Sequence, residues 1–200
     1  MFEINGQDLI EYLSNSKLLE NYFLIVPFRL PLYVYVLVSI FSITIGCFRL
    51  YNKGFKEGIR DVFFCVLLGY VVLLICSMCL YREVSEARDY CFEPFWSYKE
   101  IFKGNPSLLV ENLMNVVVFI PIGLLLPFSL KGYKFKCVLL AGLSLSLTIE
   151  LLQFVFKTGY CEFDDLFHNT LGATIGYVLS VILVTMFSFI EKVLHSVKKK

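Results

Sequence analysis

The sequence predicts an all-α fold: a polytopic membrane helix bundle of about five transmembrane helices, preceded by an amphipathic helix at the membrane interface. Three observations lead there. The 200 residues are 58% hydrophobic and only 18% charged, with a mean hydropathy of +0.71, whereas a soluble domain carries about a quarter charged residues. The charges bunch between apolar runs. Five of those runs are close to the roughly 20 residues a helix needs to cross the hydrocarbon core. None alternates with a two-residue period, so they read as helices rather than barrel strands.

In chain order, residues 6–25 (GQDLIEYLSNSKLLENYFLI) read as an amphipathic helix lying at the interface within an N-terminal segment 1–30. The segment MFEINGQDLIEYL has no basic start and no small-residue cleavage site after it, so no cleaved signal peptide is read. Pro27 and Pro31 separate it from a transmembrane domain spanning 31–190. The spans fall at 31–48, 62–81, 107–128, 137–156 and 169–190, and residues 191–200 form a basic tail. In this arrangement Arg49, Lys53, Lys56 and Arg60 (loop 49–60), Lys131, Lys134 and Lys136 (turn 129–136), and Lys192 and Lys198–Lys200 (tail) share one side. They outnumber the basic residues elsewhere, which places that side in the cytoplasm and the N-terminus outside. The 82–106 and 157–168 loops then face outward. The first of these, with Glu86, Arg88, Asp89, Glu93 and Pro94-Phe95-Trp96, reads as a re-entrant or surface-lying strip over the outer end.

Several function classes drop out. A net charge of +1 gives no footprint for nucleic acid. The seven cysteines show no zinc-type pairing, and no metal motif or cofactor is implied. Cys47, Cys65, Cys76 and Cys137 read as small hydrophobes. Cys79, Cys91 and Cys161 lie near one side, as free thiols in preference to a disulfide between two of them.

The polar residues inside the spans are not scattered. Glu111, Asn112 and Asn115 open the third span, Glu150 and Gln153 lie near the end of the fourth, and Asn169 opens the fifth. Alternating span directions bring all of them to the outer end, beside Glu162, Asp164, Asp165 and His168 of the preceding loop. A charged side chain at a span centre costs about 2.5–3.5 kcal/mol on insertion scales, so Glu150 should face the bundle interior. Gln153 shares its helix face. Gly142 and Ser146 precede Glu150 at four-residue spacing, and Gly172 and Gly176 repeat that spacing in the fifth span. These small faces should pack against each other or against the third span. Pro121, in mid-span, should kink that helix.

Four motifs in order then resemble the VanZ-like membrane family, most firmly over 91–180. They are Glu93-Pro94-Phe95, an Asn112/Asn115 span ending in FIPIGLLLP at 119–127, IELLQ at 149–153 and DDLFHNTLGATIG at 164–176. Two positions depart from the family pattern. An arginine often found before the acidic segment is absent from Lys157-Thr158-Gly159-Tyr160, and an asparagine of the proline-aromatic loop is replaced near Glu93. The resemblance implies a cell-envelope membrane protein. The family's namesake is associated with low-level resistance to the glycopeptide teicoplanin in Gram-positive bacteria.

Two readings of the acidic segment stand side by side. Carboxylates and imidazole are ordinary ligands for divalent ions, with Glu111 or Glu150 completing a shell or acting as a base. Alternatively Asp164 or Asp165 caps the fifth helix, while Asn169 and Gln153 join helices. The function reading favours a non-catalytic outer pocket for a lipid, a lipid-linked wall precursor or an amphipathic drug. A membrane-embedded enzyme on a lipid-linked or envelope substrate is the alternative. No nucleophile–base pair is visible, and no inverted repeat suggests a transporter.

Overall fold

The computed structural model describes residues 30–80, 82–130 and 134–198. The amphipathic helix read at 6–25 lies outside them. Helix α1 (Leu32–Lys53) follows Pro31, and α2 (Phe55–Ile75) ends in a π-helical turn, Cys76–Leu80. Then come β1 (Tyr90–Cys91), the short α3 (Trp96–Phe102), α4 (Ser107–Ser129), α5 (Phe135–Phe156), β2 (Cys161–Glu162) and α6 (Phe163–Lys198). Among the described residues, five helices are long and apolar enough to cross a membrane.

Two boundaries differ from the sequence expectation. The 49–60 loop is instead a one-residue joint. Gly54, at φ +78°, ends α1 and starts α2 in a conformation that costs other residues more. Arg49 and Lys53 both pair with Asp61 across that hairpin, at 3.2 and 2.9 Å. At the other end, α6 begins at Phe163 rather than Asn169, so Asp164, Asp165 and His168 lie within a helix and not in a loop. Acids in a first turn are favoured by the helix dipole, which a hydropathy boundary does not register. At 1.5 Å per residue α6 is about 54 Å long, well beyond the roughly 30 Å hydrocarbon core. Its residues after Ser180, as far as Ser196, are exposed.

The core lies where α2, α4, α5 and α6 meet, around Phe119, Val138, Ile149 and Ala173. Glycines set the spacing. A Cβ on Gly172 would overlap the carbonyl oxygen of Val116, and one on Gly176 that of Ile120. The fifth-span glycines therefore face the third span. Gly142 meets Ala173 of α6 instead, with 2.8 Å between the Ala173 methyl and a Cβ built there. Helix α4 continues through Pro121 and Pro127. Helix α1 packs along α2, where Ser42 sits against Gly69 and Gly46 against Val62.

Because the long helices alternate in direction, one end of the bundle collects the end of α2 and the starts of α4 and α6, with the end of α5. The 82–106 strip lies over this end. Its anchors are Ser85 N–H to Lys157 O, Cys161 N–H to Asp89 O, and a parallel pairing of β1 with β2 that sets Tyr90 opposite Cys161 and Cys91 opposite Glu162.

Candidate functional site

The strip and the helix ends form a polar cluster covered by aromatic rings. Asp164 is buried, 1% exposed, and accepts three hydrogen bonds. These come from Phe95 N–H (2.5 Å), Ser97 N–H (3.0 Å) and the Ser97 hydroxyl (2.6 Å). Phe95 is left-handed at φ 59°, which turns the chain into α3. Asp164 therefore satisfies donors that the start of α3 cannot bond within its own helix. It caps α3 across space, and not α6, as the sequence suggested. The Ser97 hydroxyl in turn accepts from Asn112 Nδ2 at 3.0 Å, which ties the same junction to α4.

Asp165, one residue on, faces the bundle. Asn115 Nδ2 donates to its Oδ1 at 2.6 Å. One turn further along α6, Asn169 Nδ2 donates to Ser146 Oγ at 2.9 Å, and the Ser146 hydroxyl lies 3.5 Å from the Asp165 carbonyl. On α5, Glu150 Oε2 accepts the Glu162 N–H at 3.0 Å. Gln153 Nε2 donates to Met78 O at 3.1 Å, which fixes the amide's orientation because a carbonyl can only accept. Glu150 and Gln153 are each 1% exposed, and Asn169 is fully buried. Glu150 Oε1, Gln153 Oε1 and Asn169 Oδ1 are buried and have no hydrogen-bond partner.

Glu162 sits at the rim of this cluster and accepts from Trp96 Nε1 at 3.0 Å. Its carboxyl is pushed up to about 8, first by burial and next by the charge of Asp165, against the Trp96 hydrogen bond. The Trp96 ring stacks on Tyr160 at 6.4 Å. His168 is buried, with Nε2 2.8 Å from the Tyr98 hydroxyl and its ring edge-on to Phe167. The Tyr98 hydroxyl is itself pushed up, by burial and then by Asp164.

One sequence candidate lies apart. Glu93 is exposed and ion-paired with Lys99, outside the cluster. Glu111 is exposed too, but lies near enough for its charge to act on Glu162 and Asp165. Arg82 was missed. It lies close enough to act on Glu150 and Asp165 and against Gly159, where a Cβ would come 2.7 Å from Arg82 Nη1 and 3.2 Å from Gln153 Cδ. The cation sought among Lys157–Tyr160 thus comes from the end of the second span, while Lys157 turns outward to Glu86 O. A basic residue at the supposed outer end, against the charge rule, was the available signal. Ser97 and Tyr98 were missed too. Among the described residues, no three of His, Cys, Asp and Glu converge as a metal site, and all seven cysteines are free thiols.

Fold and site together define a multi-pass helical membrane protein with a buried acidic network at one end. The family model for VanZ/LLP1 matches residues 62–184, and the chain belongs to that family. It is similar to Protein VanZ of Enterococcus faecium, 41% identical over 69 residues, covering 34% of this chain and 43% of that relative. The match thus spans less than half of the relative's length. No solved structure matches the chain.

Proposed function

We propose that this protein acts at the outer face of the cytoplasmic membrane, in cell-envelope physiology that includes tolerance of teicoplanin-type glycopeptides. In this reading the N-terminus is outside, the C-terminus is cytoplasmic, and the polar cluster is a binding site rather than a reaction centre. A lipid, a lipid-linked wall precursor or an amphipathic drug is its ligand. The supporting observation is the convergence of Arg82 with Glu150, Glu162, Asp164 and Asp165 beneath an aromatic strip, at the end opposite the Arg49–Asp61 and Lys134–Lys136 end. Buried ionisable groups in a membrane bundle are costly and mark function more often than packing. Among the described residues the side-chain partner of His168 Nε2 is the Tyr98 hydroxyl rather than a serine or cysteine, which favours the binding reading.

The test is expression in a susceptible Gram-positive host lacking its own copy, with the teicoplanin inhibitory concentration as readout. Wild type should raise it. Glu150→Gln should return it to the empty-vector value while membrane levels stay equal. Equal resistance from wild type and Glu150→Gln would remove the cluster from the function, and no effect of wild type on any envelope-active drug would remove the drug-tolerance reading.

A further inference from the structure

Three buried oxygens of the cluster have no donor among the described residues. Glu150 Oε1, Gln153 Oε1 and Asn169 Oδ1 are all acceptors, on side chains at least 98% buried. The amide nitrogens of Gln153 and Asn169 are already committed, to Met78 O and Ser146 Oγ, so rotation does not trade one deficit for another. Arg82 Nε and the hydroxyls of Thr158 and Thr170 are buried and unpartnered too, so none of them bonds these three oxygens, and among the described residues Arg82 forms no ion pair within 4 Å. The Arg82 guanidinium lies close enough to act on Glu150 and Asp165, and Asp164 is taken up by its three donors at α3. Glu150 Oε1 and Gln153 Oε1 therefore receive no donor from the described residues.

Two further features narrow what supplies them. The His, Cys, Asp and Glu side chains among the described residues do not gather in the threes a compact metal needs. The rim is aromatic, with Trp96 stacked on Tyr160 and bonded to Glu162. Carboxylate oxygens beside aromatic faces recognise organic cations, the rings through their negative faces. Gly159 packs closely against Arg82 and Gln153, and Arg82, Gly159 and Glu162 are all partly exposed at the bundle end.

We propose that this end of the bundle binds the primary ammonium group of an amphiphile. The ammonium donates to Glu150 Oε1 and Gln153 Oε1, and the Trp96–Tyr160 rim holds the stem of its chain. An amine-bearing lipid headgroup and a free amphiphilic amine share this chemistry. The inference rests on the cluster being the binding site proposed above.

Trp96 is the chain's only tryptophan, so its fluorescence reports the rim directly. The experiment titrates the full chain, in phosphatidylcholine nanodiscs, with octylammonium, octyltrimethylammonium and octanol. A saturable Trp96 response to octylammonium is expected. It should weaken about tenfold or more for the trimethylated probe, which donates no hydrogen bond, and be absent for octanol. Glu150→Gln should weaken octylammonium by a similar factor, with its melting temperature as the check on folding. Glu162→Gln is the second variant, since its amide oxygen still accepts from Trp96. Equal curves for all three probes, or undiminished binding by both variants, overturn the proposal. Nanodiscs containing phosphatidylethanolamine identify the source. Competition with octylammonium assigns the site to the headgroup, and no competition assigns it to a free amphiphile. Should octylammonium fail to bind while Glu150→Gln still loses teicoplanin tolerance, the ligand class is wrong and the site survives.

Discussion

Replacing Gly123 with alanine tests how closely the network depends on helix spacing. A Cβ there would overlap the carbonyl oxygen of Ala173 and lie 2.7 Å from its carbon and 2.9 Å from Tyr177 N. All three are backbone atoms of α6, so no side chain can swing aside. Ordinary carbon–carbon contact is about 3.5–4.0 Å, so α4 and α6 must part by roughly 1 Å. Gly172 and Gly176 hold the same seam against Val116 and Ile120, and Asn115 to Asp165 spans it with a 2.6 Å bond. An opening of that size carries the bond past hydrogen-bonding range. Overpacking costs about 1–3 kcal/mol, and loss of the bond to a buried carboxylate adds about 1–3 kcal/mol. On the scale of soluble chains of this size that corresponds to a melting point lower by about 4–24 °C. Thermal unfolding of detergent-purified Gly123→Ala, followed by Trp96 fluorescence, measures it. A melting point within about 2 °C of wild type, below 1 kcal/mol on that scale, would show that the α4–α6 seam is looser than the structure has it.

Asp164→Ala should be among the most damaging single changes at the polar end. It strands the Phe95 and Ser97 amides at about 1–3 kcal/mol each, and should be read as lost membrane accumulation or a lower melting point. The pH response follows Glu162. Arg82, Glu111, Glu150, Asp164 and Asp165 all act on it or lie in its cluster, and its carboxyl is raised from 4.5 to about 8. The protonated form is favoured by folding, so its stabilisation is complete below about pH 4.5 and is lost as pH rises through about 8. Melting points taken from pH 5 to 9 should fall for wild type and fall less steeply for Glu162→Gln; parallel slopes would argue against a raised Glu162. Orientation is best tested at Glu93, whose side chain is 60% exposed, because Cys161 is buried. Glu93→Cys should react with an impermeant thiol reagent on intact cells, and reaction only after permeabilisation would reverse the assignment.

The sequence made the spans legible because lipid demands long uninterrupted apolar helices, and that demand acts locally. It also made Glu150 with Gln153 legible, since three-residue spacing fixes a shared helix face. The small-residue spacing of Gly142–Ser146 and Gly172–Gly176 marked close-packing faces, but left the partner open. Only the third dimension set Gly172 and Gly176 against α4. Three things were hidden for different physical reasons. The early start of α6 was masked because Asp164, Asp165 and His168 lower the hydropathy, although the two acids are good first-turn residues. The role of Asp164 was masked because its partners are backbone amides of Phe95 and Ser97, which leave no mark in a sequence. Arg82 was masked because it lies about 70 residues from Glu150 and Gln153 and reads as the flank of a span.

The acids that looked alike in sequence divide by how far their oxygens are satisfied. Asp164 receives three donors and is buried at little residual electrostatic cost, so it builds the junction between α3 and α6. Glu150 receives one, from Glu162 N–H, and holds its second oxygen buried and unmatched beside Asp165 and Arg82. If only stability mattered, a glutamine or an apolar residue at 150 would serve at least as well, since an incompletely satisfied buried acid is weak evidence for stabilisation. The two positions should therefore respond in opposite ways to the same isosteric change. Asp164→Asn turns an amide nitrogen or a weaker acceptor toward donors that need a carboxylate, and costs folding. Glu150→Gln removes a carboxyl group the fold does not require, and costs function. That contrast, measured on one preparation as melting point against ligand response, separates the architecture of the polar end from its use.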